Sequence, residues 1–120
     1  MATSAGEKTL KLLRRILDAD DLLGHVTSSA DADRSKPDPD IVSTALERAE
    51  ISAEDAIFVG DAVWDMQGGT RTGVPTVGLL SGGASRKALL DAGAVAIYDD
   101  PRDILSNFSD FIKLRTATLR

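Results

Sequence analysis

The stretch Ala56-Ile57-Phe58-Val59-Gly60-Asp61-Ala62-Val63-Trp64-Asp65-Met66, continued by Gln67-Gly68-Gly69-Thr70-Arg71-Thr72-Gly73-Val74-Pro75-Thr76-Val77-Gly78-Leu79-Leu80, decides the fold. Residues 56–59 form an unbroken apolar run that ends at Gly60-Asp61. Residues 63–72 read as a helix stopped by Gly73, and residues 74–80 are a second apolar run. An apolar strand without alternation is a strand covered on both faces. A helix between two such strands is the pattern of a parallel β–α–β unit. Right-handed crossovers would bring the carboxyl ends of these strands to one rim.

The pattern continues on both sides of this stretch. Downstream, Ser81-Gly82-Gly83 is read as opening a helix to about Ala92, stopped by Gly93. Ala94-Val95-Ala96-Ile97-Tyr98 is the next strand, and Asp99-Asp100-Pro101 starts a last helix to about Phe108. Upstream, residues 30–40 are a charged loop with two prolines. Asp38-Pro39 begins a helix with one face of Ile41, Val42, Ala45, Leu46 and Ala49, since Asp can cap and Pro is preorganised for the first helical position. His25-Val26-Thr27-Ser28-Ser29 reads as a short strand. From Glu7 to Leu17, Leu10, Leu13, Ile16 and Leu17 recur at helical spacing opposite Lys8, Lys11, Arg14 and Arg15, an amphipathic helix. The fold expected is α/β, a Rossmann-like parallel sheet with flanking helices, over residues 1–108. Residues 109–120 are a tail that either packs as a short helix through Phe111 and Leu114 or frays.

Composition narrows the function classes. The chain has 120 residues, the size of one domain. It carries 14 Lys and Arg against 19 Asp and Glu, and its net charge of -5 argues against a nucleic-acid backbone or an anionic membrane surface as partner. No apolar run approaches the roughly 20 residues of a membrane span. The start, Met1 to Leu10, has no basic segment leading into an apolar one, so no secretory signal is read and a cytoplasmic location is the default. The absence of cysteine excludes disulfides, thiolate catalysis and Cys-ligated zinc.

In an open α/β sheet, ligands bind beyond the carboxyl ends of the strands. At the end of the first apolar run, Gly60 lets the backbone turn and Asp61 project, with Asp65 one helical turn on. Two carboxylates so spaced either serve one magnesium ion, one directly and one by orienting a neighbour, or cap the following helix and complement its dipole. Lys36 is either a cation for a phosphate or a solvated loop residue. Ser4 with Glu7 fits a capping box, which leaves Thr3 to present a hydroxyl and an amide to an anion. Ser81-Gly82-Gly83 is read as a loop, because its glycine spacing matches no phosphate-binding fingerprint. His25, the only histidine, has no nucleophile elbow to serve. Trp64 and Tyr98 are read as packing residues, and Asp99 and Asp100 as caps of the last helix.

The order of these signals resembles a known family. Ser35-Lys36-Pro37-Asp38-Pro39-Asp40-Ile41, then Phe58-Val59-Gly60-Asp61-Ala62-Val63-Trp64-Asp65-Met66, then Arg71-Thr72-Gly73-Val74-Pro75-Thr76-Val77-Gly78 are similar to the C-terminal half of a haloacid dehalogenase-like (HAD) phosphohydrolase, in the phosphoglycolate phosphatase and β-phosphoglucomutase branch. The resemblance covers roughly residues 1–107. It implies that Lys36 neutralises the phosphoryl group and the nucleophile, and that Asp61 ligates Mg2+. Asp65 would support the site or the lysine, and Thr3 would be the second-motif hydroxyl. It implies a small phosphorylated metabolite as substrate, hydrolysed in intact relatives through an aspartyl-phosphate.

One departure is large. The family's first motif is a DxD whose first Asp is the nucleophile. Asp18-Ala19-Asp20, Asp31-Ala32-Asp33 and Asp38-Pro39-Asp40 have the spelling, but none follows an apolar strand. The first strand and the cap domain that selects substrate are missing as well. In the family's strand order, 3-2-1-4-5, the absent strand would lie between His25–Ser28 and Ala56–Val59. Its loss would expose strand edges and helix faces to self-association or to a missing N-terminal half. The chain is therefore expected to be an incomplete portion of such an enzyme, inactive or very weak alone, since losing the nucleophile costs on the order of 10³–10⁶ in rate. A non-catalytic binding module of the same descent is the alternative. A receiver-like signalling domain is disfavoured, because it would need its lysine near the last strand.

Overall fold

The computed structural model describes residues 1–3, 5–28 and 41–118, and falls into two compact units, Met1–Ile51 and Ser52–Arg120. In the first unit, Ala2 and Thr27 form a single parallel bridge. Around it the Thr3 amide donates to the Thr27 carbonyl at 2.9 Å, and the Thr27 amide to the Met1 carbonyl at 2.8 Å. Of the strand expected over His25–Ser29, the described residues 25–28 keep one bridging residue, Thr27. Its partner turns away at Thr3, whose hydroxyl oxygen accepts the Ala5 amide at 3.2 Å. At the other end the Met1 ammonium donates to the His25 carbonyl at 2.7 Å.

Helix α1 (Glu7–Leu17) follows, with Gly6 as its N-cap and no side chain capping it. A capping box from Ser4 to Glu7 would need the cap at residue 4, so that reading gives way to a helix capped at Gly6, two residues later. Asp18, at φ 47°, ends the helix by donating its amide to the Arg14 carbonyl. Arg14 pairs with Asp20 at 3.0 Å across a 3-10 turn of Asp20–Leu22. No residue of α1 is buried: Leu13, Ile16 and Leu17 are 38%, 68% and 56% exposed. Helix α2 (Ile41–Ala49) buries Val42 and Thr44.

The second unit holds the sheet. Strands β1 (Phe58–Gly60), β2 (Thr76–Leu79) and β3 (Ala96–Tyr98) run parallel in the order β1-β2-β3. The register pairs Gly60 with Gly78 and Gly78 with Ile97. Every residue of the central strand β2 is buried, which is why its sequence is an unalternated apolar run. Between β1 and β2 lies α3 (Val63–Thr72), closed by Gly73 at φ 76°. The Val74 amide then bonds back to the Gly69 carbonyl at 3.0 Å. This left-handed glycine satisfies the last carbonyls of the helix and turns the chain into β2. Helix α3 lies close on the sheet because Gly68 and Gly69 are buried. A Cβ on Gly69 would run into the Thr76 hydroxyl and sit 3.0 Å from the Phe58 ring.

Helix α4 (Arg86–Asp91) begins later than the sequence suggests. Ser81-Gly82-Gly83 is not its opening: Leu80–Gly82 form a 3-10 turn, and Gly83 at φ 94° closes that turn. Ser85 is the cap, its hydroxyl oxygen accepting the Ala88 amide at 3.1 Å. Met66, Leu89 and Ala94 form the core between α3, α4 and the start of β3, with Leu80, Ala84, Ala92 and Ile97 packed on it. Asp100 caps α5 (Pro101–Ser106) through the Asp103 amide at 2.8 Å, with Pro101 in the first turn. The helix breaks at Asn107 rather than running to Phe108, and α6 (Phe108–Thr118) starts anew. Phe111 of α6 meets Tyr98 of β3 edge-on at 6.1 Å and stacks on Phe108 at 5.8 Å. No helix among the described residues is long and apolar enough to cross a membrane.

Candidate active site

The carboxyl end of β1 carries the residues that can do chemistry. The strand ends at Gly60, and the chain passes through Asp61 and Ala62 before α3 begins. Ala62 is the N-cap of α3 and has no side chain that could accept the first amides. Asp65 supplies the acceptor instead: its Oδ2 takes the Asp61 amide and the Ala62 amide, each at 3.2 Å. Asp65 reaches back because Gly60 leaves room. A Cβ at residue 60 would lie 2.5 Å from the Asp65 Cβ and 2.7 Å from its Oδ2.

Asp61 therefore does not cap the helix, one of the two readings its sequence allows. Its side chain is exposed and accepts no hydrogen bond among the described residues. Against it lies Gly82, at the end of β2 in the turn Leu80–Gly82. A Cβ on Gly82 would come within 2.5 Å of the Asp61 Cβ, Cγ and Oδ2. The loop read as uninvolved thus touches the free carboxylate. No sequence signal marks this contact, because it joins the ends of two strands separated by a whole helix.

The other expected site residues belong to the first unit or lie outside the described residues. Thr3 belongs to the first unit, where its hydroxyl oxygen accepts the Ala5 amide at 3.2 Å. Lys36 and Ser4 lie outside the described residues. Trp64, read as a packing residue, is 75% exposed. It is two positions from the buried Met66, and about 200° round the helix places it on the opposite face.

Magnesium is the ion implied by the motif, and the donor set can be tested against it. No group of three or more His, Cys, Asp or Glu among the described residues could hold a metal. What is present is one hard, uncommitted carboxylate in a cradle that a single methyl group would fill. That fits an ion bound through one carboxylate, with waters and substrate phosphate completing its shell, and not an all-protein cage.

A model of haloacid dehalogenase-like hydrolases matches residues 1–79, a stretch that includes the bridge at Ala2, the Gly60-Asp61 turn and both strands beside it. The chain belongs to the haloacid dehalogenase-like hydrolase family. Among its relatives in this family, a phosphoglycolate phosphatase of Rhodospirillum rubrum is 37% identical over 65 residues, 54% of this chain and 27% of that protein. A haloacid dehalogenase-like hydrolase domain-containing protein of Arabidopsis thaliana is 34% identical over 70 residues, 58% of this chain and 22% of that protein. A crystal structure of a hydrolase from Pseudomonas syringae superposes with a TM-score of 0.80 at 34% identity, covering 91% of this chain and 51% of the other. The chain thus spans about half the length of that hydrolase, and its match takes in about a quarter of each curated relative. The three parallel strands with flanking helices are the haloacid dehalogenase-like α/β architecture.

Proposed function

We propose that this chain carries the metal-ligand and phosphate-binding half of a magnesium-dependent phosphohydrolase for a small phosphomonoester. The observation that carries the reading is the division of labour at the end of β1. Asp65 is spent on the Asp61 and Ala62 amides, and the Asp61 carboxylate is left open at the rim. When bound, Mg2+ would neutralise phosphoryl charge and orient the phosphate. Asp61 would hold it, and Asp65 would keep the backbone that presents Asp61 in place. Lys36 would balance the charge of the phosphoryl oxygens. Thr3, its oxygen already occupied by the Ala5 amide, would donate its proton to one of them. The 37% identity to a phosphoglycolate phosphatase supports a substrate of that class.

In this reading the phosphoryl-accepting aspartate is not among the 120 residues, since no DxD in them follows an apolar strand. The chain alone then binds metal and phosphate but turns over an aryl phosphate weakly or not at all. The test is p-nitrophenyl phosphate hydrolysis by the purified chain with and without Mg2+, beside Asp61→Asn, together with calorimetric Mg2+ titration of both. Turnover that requires both Mg2+ and Asp61 would overturn the claim that the nucleophile lies elsewhere. Equal Mg2+ binding by the wild type and Asp61→Asn would overturn the metal role.

A further inference from the structure

Gly82 and Gly83 are adjacent, yet they are glycine for different reasons. Gly83 sits at φ 94°, a backbone conformation that disfavours any side chain, and a Cβ there would meet nothing within 4 Å. Gly82 is not among the residues at positive φ, and it is exposed, so neither backbone strain nor core packing asks for glycine. What asks for it is Asp61. A Cβ at residue 82 would lie 2.5 Å from the Asp61 Cβ as well as from its Cγ and Oδ2. Rotating the carboxylate about its first side-chain bond does not relieve a clash with Cβ itself. Only a shift of backbone would, either in the turn that carries Gly82 or at Asp61, whose amide is held by the Asp65 carboxylate at 3.2 Å.

We propose that Gly82 is a positioning residue for the Asp61 carboxylate. The bare Cα of Gly82 walls one side of Asp61, and Asp65 anchors its amide. Between them the side chain is confined to the conformation that faces the rim. The inference rests on Asp61 being the metal ligand. An ion that demands near-octahedral geometry tolerates little displacement of the one carboxylate that holds it, so the wall acts on affinity through Asp61. The apolar end of β2 and the metal ligand at the end of β1 are thereby coupled through a residue with no side chain.

The test uses the full 120-residue chain, isotope-labelled, with Mn2+ as a paramagnetic stand-in for Mg2+. In the wild type, Mn2+ should broaden the amide signals of residues 60–62 and 81–83 first. Gly82→Ala should weaken the apparent Mn2+ affinity by roughly 10–100-fold, as loss of a group that orients a ligand does. Gly83→Ala, which strains the turn without touching Asp61, should leave that affinity unchanged. In urea unfolding, Gly82→Ala should lower the midpoint, and adding Asp61→Gly should restore part of the loss. If Gly82→Ala does not fold, recovery of folding in the double variant is the expected result. Equal Mn2+ affinity in Gly82→Ala and the wild type overturns the proposal and leaves Asp61 a ligand. Absence of Asp61-dependent Mn2+ broadening in the wild type overturns the metal reading instead. Strictly additive urea midpoints in the Gly82 and Asp61 variants overturn the coupling itself.

Discussion

Oδ2 of Asp65 accepts the backbone amide of Asp61 at 3.2 Å, so the later aspartate of the motif holds the earlier one by its main chain. The same oxygen takes the Ala62 amide, which supplies the start of α3 with the acceptor that Ala62 lacks. An anionic group at the third position of a helix also meets the positive end of the helix dipole. One carboxylate is thereby committed to structure, and its neighbour is left for a ligand.

Removal of the two carboxylates should have unequal consequences for stability. Asp65→Ala loses two amide acceptors in the first turn and should cost about 1–2 kcal/mol. Asp65→Asn, whose side-chain oxygen still accepts, should cost less. Asp61→Asn should stay within about 0.5 kcal/mol of the wild type, because nothing among the described residues leans on its carboxylate. Urea unfolding followed by circular dichroism measures all three. An Asp61→Asn loss as large as that of Asp65→Ala would contradict the assignment.

Gly69 offers a case where helix propensity and packing disagree. Alanine in a helix interior is favoured over glycine by about 1 kcal/mol. Here the added methyl would strike the Thr76 hydroxyl, which itself donates to the Val74 carbonyl at 2.9 Å in a fully buried strand. Overpacking of this kind costs about 1–3 kcal/mol, so Gly69→Ala should lower Tm in calorimetry. The loss should shrink in a Thr76→Ala background. A raised Tm would mean that α3 can lift from the sheet freely.

The core is small enough for single truncations to be decisive. Met66 and Leu89 are each 0% exposed and share one cluster. Truncating either to alanine should cost about 2–5 kcal/mol, a large part of the stability of an ordinary domain, and the two losses should not add. Leu105, 74% exposed, is the contrast: Leu105→Ala should change stability by no more than about 0.5 kcal/mol. Chemical unfolding of the three variants side by side checks the ranking.

Tyr98 is the only tyrosine, so the absorbance of its phenolate reports on one site. Partial burial, then the carboxylates of Asp110 and Asp103, raise its pKa above the ordinary 10.0. A raised acid keeps its proton in the folded state after the unfolded chain has lost it. Its contribution to stability is therefore complete below pH 10 and declines as pH rises beyond that. Titration of the native chain at 295 nm should give a midpoint above 10.0, which Asp110→Asn moves back toward that value. A native midpoint at or below the ordinary value would remove the electrostatic coupling between β3 and α6.

Much of this protein follows from neighbours along the chain. Helical periodicity placed α1 and α3, with Gly73 as the stop of α3. The unalternated runs announced three parallel strands, of which only β2 is buried throughout while Val59 of β1 is exposed, and Asp100-Pro101 announced a capped helix. The spacing of Lys36, Asp61 and Asp65 carried the family. These signals are local because capping, turn formation and one-face burial depend on residues within a turn or two. Where local signals conflict, as at Ser81-Gly82-Gly83 and at Asn107, the sequence alone misplaced the helix start and the helix end.

The amino-acid sequence by itself determined the class of fold, the order of its elements, the family and the identity of the carboxylates at the end of β1. Tertiary structure decided which carboxylate is spent and which is open, that Trp64 faces outward, and that Gly69 meets Thr76 and Gly82 meets Asp61. The reason is physical. A parallel crossover brings strand ends together only once register and helix packing are set, and no short-range preference in either segment records which residue will stand opposite.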